Sequence, residues 1–144
     1  MEEPTKTKRA IALTLTERRR LCQQLSALLS AKPEIHFAFL YGSAAEEEQF
    51  HDLDVALVVD EEAIPPDRVL DYEFAVEKEL TAAFPYPVDV RIVNRAPLAF
   101  RYQVTRGVLV CTQDPEASGH FIERTWDEYF DFLPVAARYL EELR

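Results

Sequence analysis

Apolar residues first recur at helical spacing, at Leu21, Leu25, Leu28 and Leu29, and then crowd into two nearly unbroken runs, 35–41 and 55–59. The first pattern predicts an amphipathic helix from about Thr16 to Leu29. Thr14-Leu15-Thr16-Glu17 has the form of a capping box that would start it, and Pro33 would end it. The runs predict strands, Ile35 to Tyr41 and Asp52 to about Val59, the first apolar enough to be central in a sheet. Gly42-Ser43 breaks the first strand, and a short helix is expected there. Pro65-Pro66 marks a loop, with Asp67 as cap of a helix reaching Ala83. Pro85 and Pro87 bracket a turn, and Val88 to Val93 alternates as a third strand. A short helix follows Pro97 and ends near Gly107, then comes a short apolar segment, 108–111. Asp114-Pro115 is a cap and first-turn pair for a long final helix, which Pro134 should kink or split.

This order predicts one α/β (α+β) domain over 14–144, with 1–13 a loosely held lead-in. A small mixed sheet would carry helices mainly on one face. In the last helix Ile122, Trp126, Phe130, Leu133, Ala137 and Leu140 read as core. Tyr129, Phe132, Ala136 and Tyr139 form a second stripe, which widens that core or docks a partner.

Composition narrows the classes. The 144 residues are 48% apolar and 29% charged, enough for a real core. No run is long enough to span a bilayer, and the start lacks the apolar region of a secretory signal, so a cytoplasmic protein is expected. Cys22 and Cys111 read as two reduced, buried thiols. The net charge of −10 argues against a nucleic-acid backbone as main partner. It suits metal ions, metal-bound nucleotide or a basic protein.

The chemistry concentrates where aspartates enter strands, which disfavour them. Asp52 and Asp54 are two residues apart, so they point the same way, roughly 6.6 Å apart along the backbone. Asp89 stands between two valines of the third strand. If the second and third strands are neighbours, the three carboxylates share one face. Such a set suits hard divalent cations and can hold two Mg²⁺ ions about 3.5–4 Å apart in a phosphoryl-transfer site. The Gly42-Ser43 break can hold a phosphate, since glycine allows close backbone approach. His51, beside Asp52, could be a metal ligand or general base but reads rather as an exposed loop residue, and His36 and His120 have no partner spacing that would give them a role. Arg91 should share a strand face with Asp89 and pair with it. Arg101 and Arg106 are possible phosphate or partner contacts without a supporting pattern.

Gly-Ser, a spacer, Asp-x-Asp and a later strand aspartate resemble the DNA polymerase β-like nucleotidyltransferase superfamily, and within it the minimal nucleotidyltransferase (MNT) domains. The stretch 88–94, Ala96-Pro97-Leu98 and 107–110 extend the resemblance into the second half. It implies the antitoxin of a HEPN/MNT pair, which transfers AMP from ATP to a tyrosine of the partner HEPN RNase toxin with magnesium. Asp52, Asp54 and Asp89 would then be catalytic and hold the metal, and Gly42 and Ser43 would bind the nucleotide. Two features depart from that pattern. The spacer after Ser43 is short, at eight residues, and the arginine usual after Gly-Ser is replaced by Ala44-Ala45 and the acidic run Glu46-Glu47-Glu48. Two alternatives therefore stand beside the enzyme: an MNT fold that masks its toxin by contact, and a transferase acting on a small molecule such as an aminoglycoside.

Overall fold

The Thr14 capping box forms as expected. In the computed structural model, which describes residues 10–46 and 49–143, Thr14 Oγ1 accepts from the Glu17 amide at 3.1 Å and Glu17 accepts from the Thr14 amide at 3.1 Å. The helix so started, α1 (Leu15–Ser30), buries Leu21, Leu25 and Leu29. Each contributes roughly 1.5–3 kcal/mol as an upper estimate. Ahead of it, β1 (Ile11–Ala12) pairs antiparallel with β3 (Gln49–Phe50) as a separate two-stranded sheet. Residues 1–9, most of the expected lead-in, lie outside the described residues.

The main sheet has four strands in the order β5-β4-β2-β6: β2 (Ile35–Tyr41), β4 (Leu53–Val59), β5 (Val88–Ile92) and β6 (Val108–Thr112). β2 is antiparallel to β4 and β6, while β4 and β5 are parallel. A parallel pair needs a crossover, supplied here by α3 (Val69–Ala83). The same helix protects the β5 edge. Glu73 and Glu77, one turn apart, accept the amides of Ile92 at 2.7 Å and Val90 at 3.2 Å. An open strand edge invites pairing with other chains, and these bonds close it.

The expected mixed sheet and long C-terminal helix are both present. The layering needs refinement, because helices cover both faces. Ala38, Leu40, Val55, Leu57 and Val90 meet the α1 leucines and Val76 and Leu80 of α3. On the other face, Phe37, Phe39, Tyr41, Ala56 and Val58 meet α4 (Leu98–Thr105) and the first half of α5 (Pro115–Glu142). Both faces of β2 and β4 are apolar, so both require cover.

Three local expectations are corrected. Asp67 does not cap α3; Pro65-Pro66 leads into a 3₁₀ turn (Pro66–Arg68), and α3 begins after it without a side-chain cap. Of the kink or split expected at Pro134, the split does not occur: α5 runs through it as one helix capped by Asp114, whose carboxylate accepts the Ala117 amide at 3.1 Å. Ile122 packs on the core, but Phe130, Leu133 and Leu140 do not, because the sheet ends before α5 does.

Candidate functional site

Strand register assembles the site. Asp54 in β4 lies opposite Tyr41 on one side and Asp89 of β5 on the other. Alternation along each strand sends Asp54 and Asp89 to the α4/α5 face, the face that also takes Ala56, Val58 and Val93. Asp52 lies two residues before Asp54, at the turn into β4. All three aspartates are half-buried. The strand start is fixed by the Leu53 amide, which donates to the Pro87 carbonyl at 2.9 Å.

Tyr41 lies directly opposite Asp54 in the sheet. It is buried and packs edge-on against Phe100, with ring centroids 5.6 Å apart. Its hydroxyl is pushed well above the ordinary tyrosine range, first by burial and then by the charges of Asp54, Asp89 and Asp52, with Arg91 acting the other way. One buried phenol thus senses all three. Sequence reasoning passed over Tyr41, although its alternation with Phe37 and Phe39 puts it on the same face as Asp54.

The Gly-Ser break meets the aspartates directly. Gly42 has φ +74°, a left-handed conformation that L side chains rarely adopt. A Cβ there would lie 2.6 Å from Asp54 Oδ2, so the bare backbone of Gly42 lets the Asp54 carboxylate sit against it. Ser43 begins the one-turn helix α2 (Ser43–Glu46), and the Ala45 amide donates to the Gly42 carbonyl at 3.1 Å. Of the acidic run that follows, Glu47 and Glu48 lie outside the described residues. Arg18 of α1 reaches this turn, donates to the Ala44 carbonyl and lies 5.8 Å from the centre of the Phe50 ring. Gly107 fits against β2 from the other side. A Cβ there would lie 2.2 Å from the Leu40 carbonyl oxygen, so the α4–β6 turn presses on the backbone beside Tyr41.

Asp89 pairs with Arg91 at 3.5 Å, the ion pair expected from their shared strand face. Both side chains are substantially exposed, so the pair contributes little stability and leaves Asp89 able to exchange partners. His51, His36 and His120 are exposed, and Arg101 is tied to Glu128 at 3.1 Å. Cys22 and Cys111 are free and half-buried, with burial raising both thiols.

As donors, the carboxylates of Asp54 and Asp89, side by side on one face, suit magnesium, a hard cation that takes oxygen ligands. Among the described residues, however, no group of three or more His, Cys, Asp or Glu side chains is arranged so that it could hold a metal ion. The side chains share a face and a neighbourhood rather than a finished coordination sphere. No helix of the described residues is long and apolar enough to cross a membrane.

Residues 23–116 match the family model described as "Polymerase beta, Nucleotidyltransferase". No curated protein matches by sequence. Among solved structures, the neighbours are MNT antitoxins of HEPN/MNT complexes. The complex of tri-AMPylated Shewanella oneidensis HEPN toxin with MNT antitoxin gives a TM-score of 0.61 at 16% identity, over 88% of this chain and 98% of that one. A toxin–antitoxin complex with AMP-PNP gives 0.58 at 14% identity, over 90% and 98%. The MntA–HepT toxin–antitoxin complex gives 0.59 at 16% identity, over 86% and 97%. At these identities the likeness is one of fold.

Proposed function

The chain belongs to the polymerase β-type nucleotidyltransferase family, and we propose that it is an MNT antitoxin that transfers AMP from ATP to a tyrosine of a HEPN toxin. The observation that carries this reading is the register pair Asp54–Asp89, with the Asp54 carboxylate against Gly42. In the reaction, the tyrosine oxygen attacks the α-phosphorus of ATP, the bond to pyrophosphate breaks, and the tyrosine proton is lost. Magnesium bound at the site would neutralise the triphosphate and stabilise the charge on the attacking and leaving oxygens. Asp52 and Asp54 would hold the cation that accompanies the nucleotide. Asp89, with Asp54, would hold the second ion, and its partly exposed carboxylate would take the tyrosine proton. Gly42 and Ser43 would offer backbone N–H groups and a hydroxyl to the phosphates, with no Cβ in the way. Such a protein would work in the cytoplasm, where ATP and the toxin are found.

Two fold relatives support a protein acceptor and a nucleotide donor, one a complex with a tri-AMPylated HEPN toxin and one a toxin–antitoxin complex with AMP-PNP. A second reading, neutralisation by contact alone, draws on the turn after Ser43. Ala44 and Ala45 stand there in place of a cation, and Arg18 is engaged by the Ala44 carbonyl.

The test is to incubate the chain with ATP, Mg²⁺ and the HEPN-type partner and measure the partner's intact mass. Whole AMP increments, lost with Asp52→Asn/Asp54→Asn, support the enzyme. A double mutant that still neutralises its toxin at one-to-one ratio supports contact alone.

A further inference from the structure

Past Phe130, whose ring still meets Tyr102 with centroids 6.2 Å apart, α5 leaves the domain. It starts near the head of β2, where the Gln113 amide donates to the His36 carbonyl at 2.8 Å. Phe121 then packs on Phe37 and Phe39, with centroids 5.4 and 6.2 Å away. Next, Trp126 Nε1 donates to Thr105 Oγ1 at 2.9 Å, two residues before Gly107 presses on Leu40 and Tyr41. The helix therefore runs along β2 toward Gly42 and the aspartates. Its last anchor is Tyr102, which stacks on Tyr129 with centroids 3.7 Å apart. From Phe130 to Leu143 it continues for roughly 20 Å at about 1.5 Å per residue.

That distal half is apolar and exposed. Phe130 is 50% exposed, Phe132 49%, Val135 63%, Tyr139 62% and Leu140 63%. At about 100° per residue these positions, with Leu133, cover roughly two thirds of the circumference. Asp131, Arg138, Glu141 and Glu142 fill the remaining strip. A helix laid against one neighbour needs a narrower apolar stripe, whereas one apolar over most of its circumference is normally buried.

We propose that the distal half of α5 is a docking arm for the acceptor protein, and that its occupant is a groove between two helices of that partner, rimmed by Lys and Arg. This rests on the reading that the acceptor is a protein. The exposed apolar side chains offer roughly 600–750 Å² for burial, near the ~800 Å² that each partner contributes to a standard interface. Charge selects the occupant. Three carboxylates against one arginine line the polar strip, on a chain of net charge −10. A second copy would bring two such acidic chains together, while a basic rim complements the strip. The arm leaves the domain at the end of the sheet that carries Asp54 and Asp89. A partner gripping it stands beside the site and can present a side chain there.

The test uses the full chain, the HEPN-type partner and the variants Phe132→Glu/Tyr139→Glu and Asp131→Lys. Isothermal titration should show partner affinity falling at least 100-fold for the double variant and about tenfold for Asp131→Lys. Circular dichroism and Mg²⁺–ATP binding should be unchanged. Partner affinity within twofold of wild type in the double variant overturns the proposal. So does a wild-type chain that does not bind the partner, or one that is a dimer when alone and becomes monomeric in the double variant. A complex that forms through the arm while no AMP is transferred supports the arm and refutes the transfer reading, so the two are separable.

Discussion

Replacing Gly42 by alanine should damage fold and site together, in amounts that the structure separates. Two costs combine. The first is the left-handed φ of +74°, which costs an L residue about 1–2 kcal/mol. The second is the new Cβ at 2.6 Å from Asp54 Oδ2. It must push the Asp54 side chain away from its rotamer, at about 0.5–1.5 kcal/mol. Together they come to roughly 1.5–3.5 kcal/mol, a fall in Tm of about 5–12 °C for a domain of this size. The contact cost disappears if Asp54 is shortened to alanine, and the backbone cost remains. A double-mutant cycle of Gly42→Ala and Asp54→Ala should therefore show a coupling of about 0.5–1.5 kcal/mol. Thermal and urea unfolding measure the cycle. Gly42→Ala should also cut AMP transfer at least tenfold, because the displaced carboxylate belongs to the proposed site. A Gly42→Ala protein within about 0.5 kcal/mol of wild type, or a cycle without coupling, would refute the contact between the Gly-Ser turn and Asp54.

Asp89→Asn should abolish AMP transfer, yet leave stability unchanged or raise it by up to about 1 kcal/mol. The substitution relieves a like-charge neighbour across the strand pair and loses only an exposed ion pair; melting and intact-mass assays read the two effects. Tyr41 and Tyr72 are both raised above the usual tyrosine range, the first by burial and the carboxylates, the second by burial and its hydrogen bond to Glu34. The stability they lend is fully present below the unfolded tyrosine pKa of about 10 and is lost as pH rises through the folded values. Tyr41→Phe should therefore flatten the fall of Tm with pH above about 10, and an unchanged slope would contradict the burial of that hydroxyl among the acids. Thr14→Ala removes the capping bond to the Glu17 amide and should cost about 0.5–2 kcal/mol in urea unfolding.

Much of the fold was legible in the chain because its signals are local. The apolar run 35–41 predicts β2 with the bounds it has, and Asp114-Pro115 marks the start of α5. The face shared by Asp54 and Asp89 followed from alternation once their strands were neighbours. Their side-by-side register did not follow, since a one-residue slip would separate them and no local signal sets it. The Gly42–Asp54 contact and the place of Tyr41 between strand and helix are likewise tertiary. Gly107 read as a helix stop, and only the packed structure reveals that it is small because β2 presses on it. The distal half of α5 shows the limit of periodicity. A helical stripe of Phe130, Leu133 and Leu140 reads as core, but whether anything covers it depends on where the sheet ends.

The central claim is that Asp52, Asp54 and Asp89 form one cation-dependent nucleotide site. Titration of ATP into the purified chain, with Mg²⁺ and then with EDTA, tests it without any partner. Binding should weaken at least tenfold without Mg²⁺ and should lose this dependence in Asp54→Asn and Asp89→Asn variants that remain folded. ATP binding of equal strength with and without Mg²⁺, or indifferent to both substitutions, would contradict it.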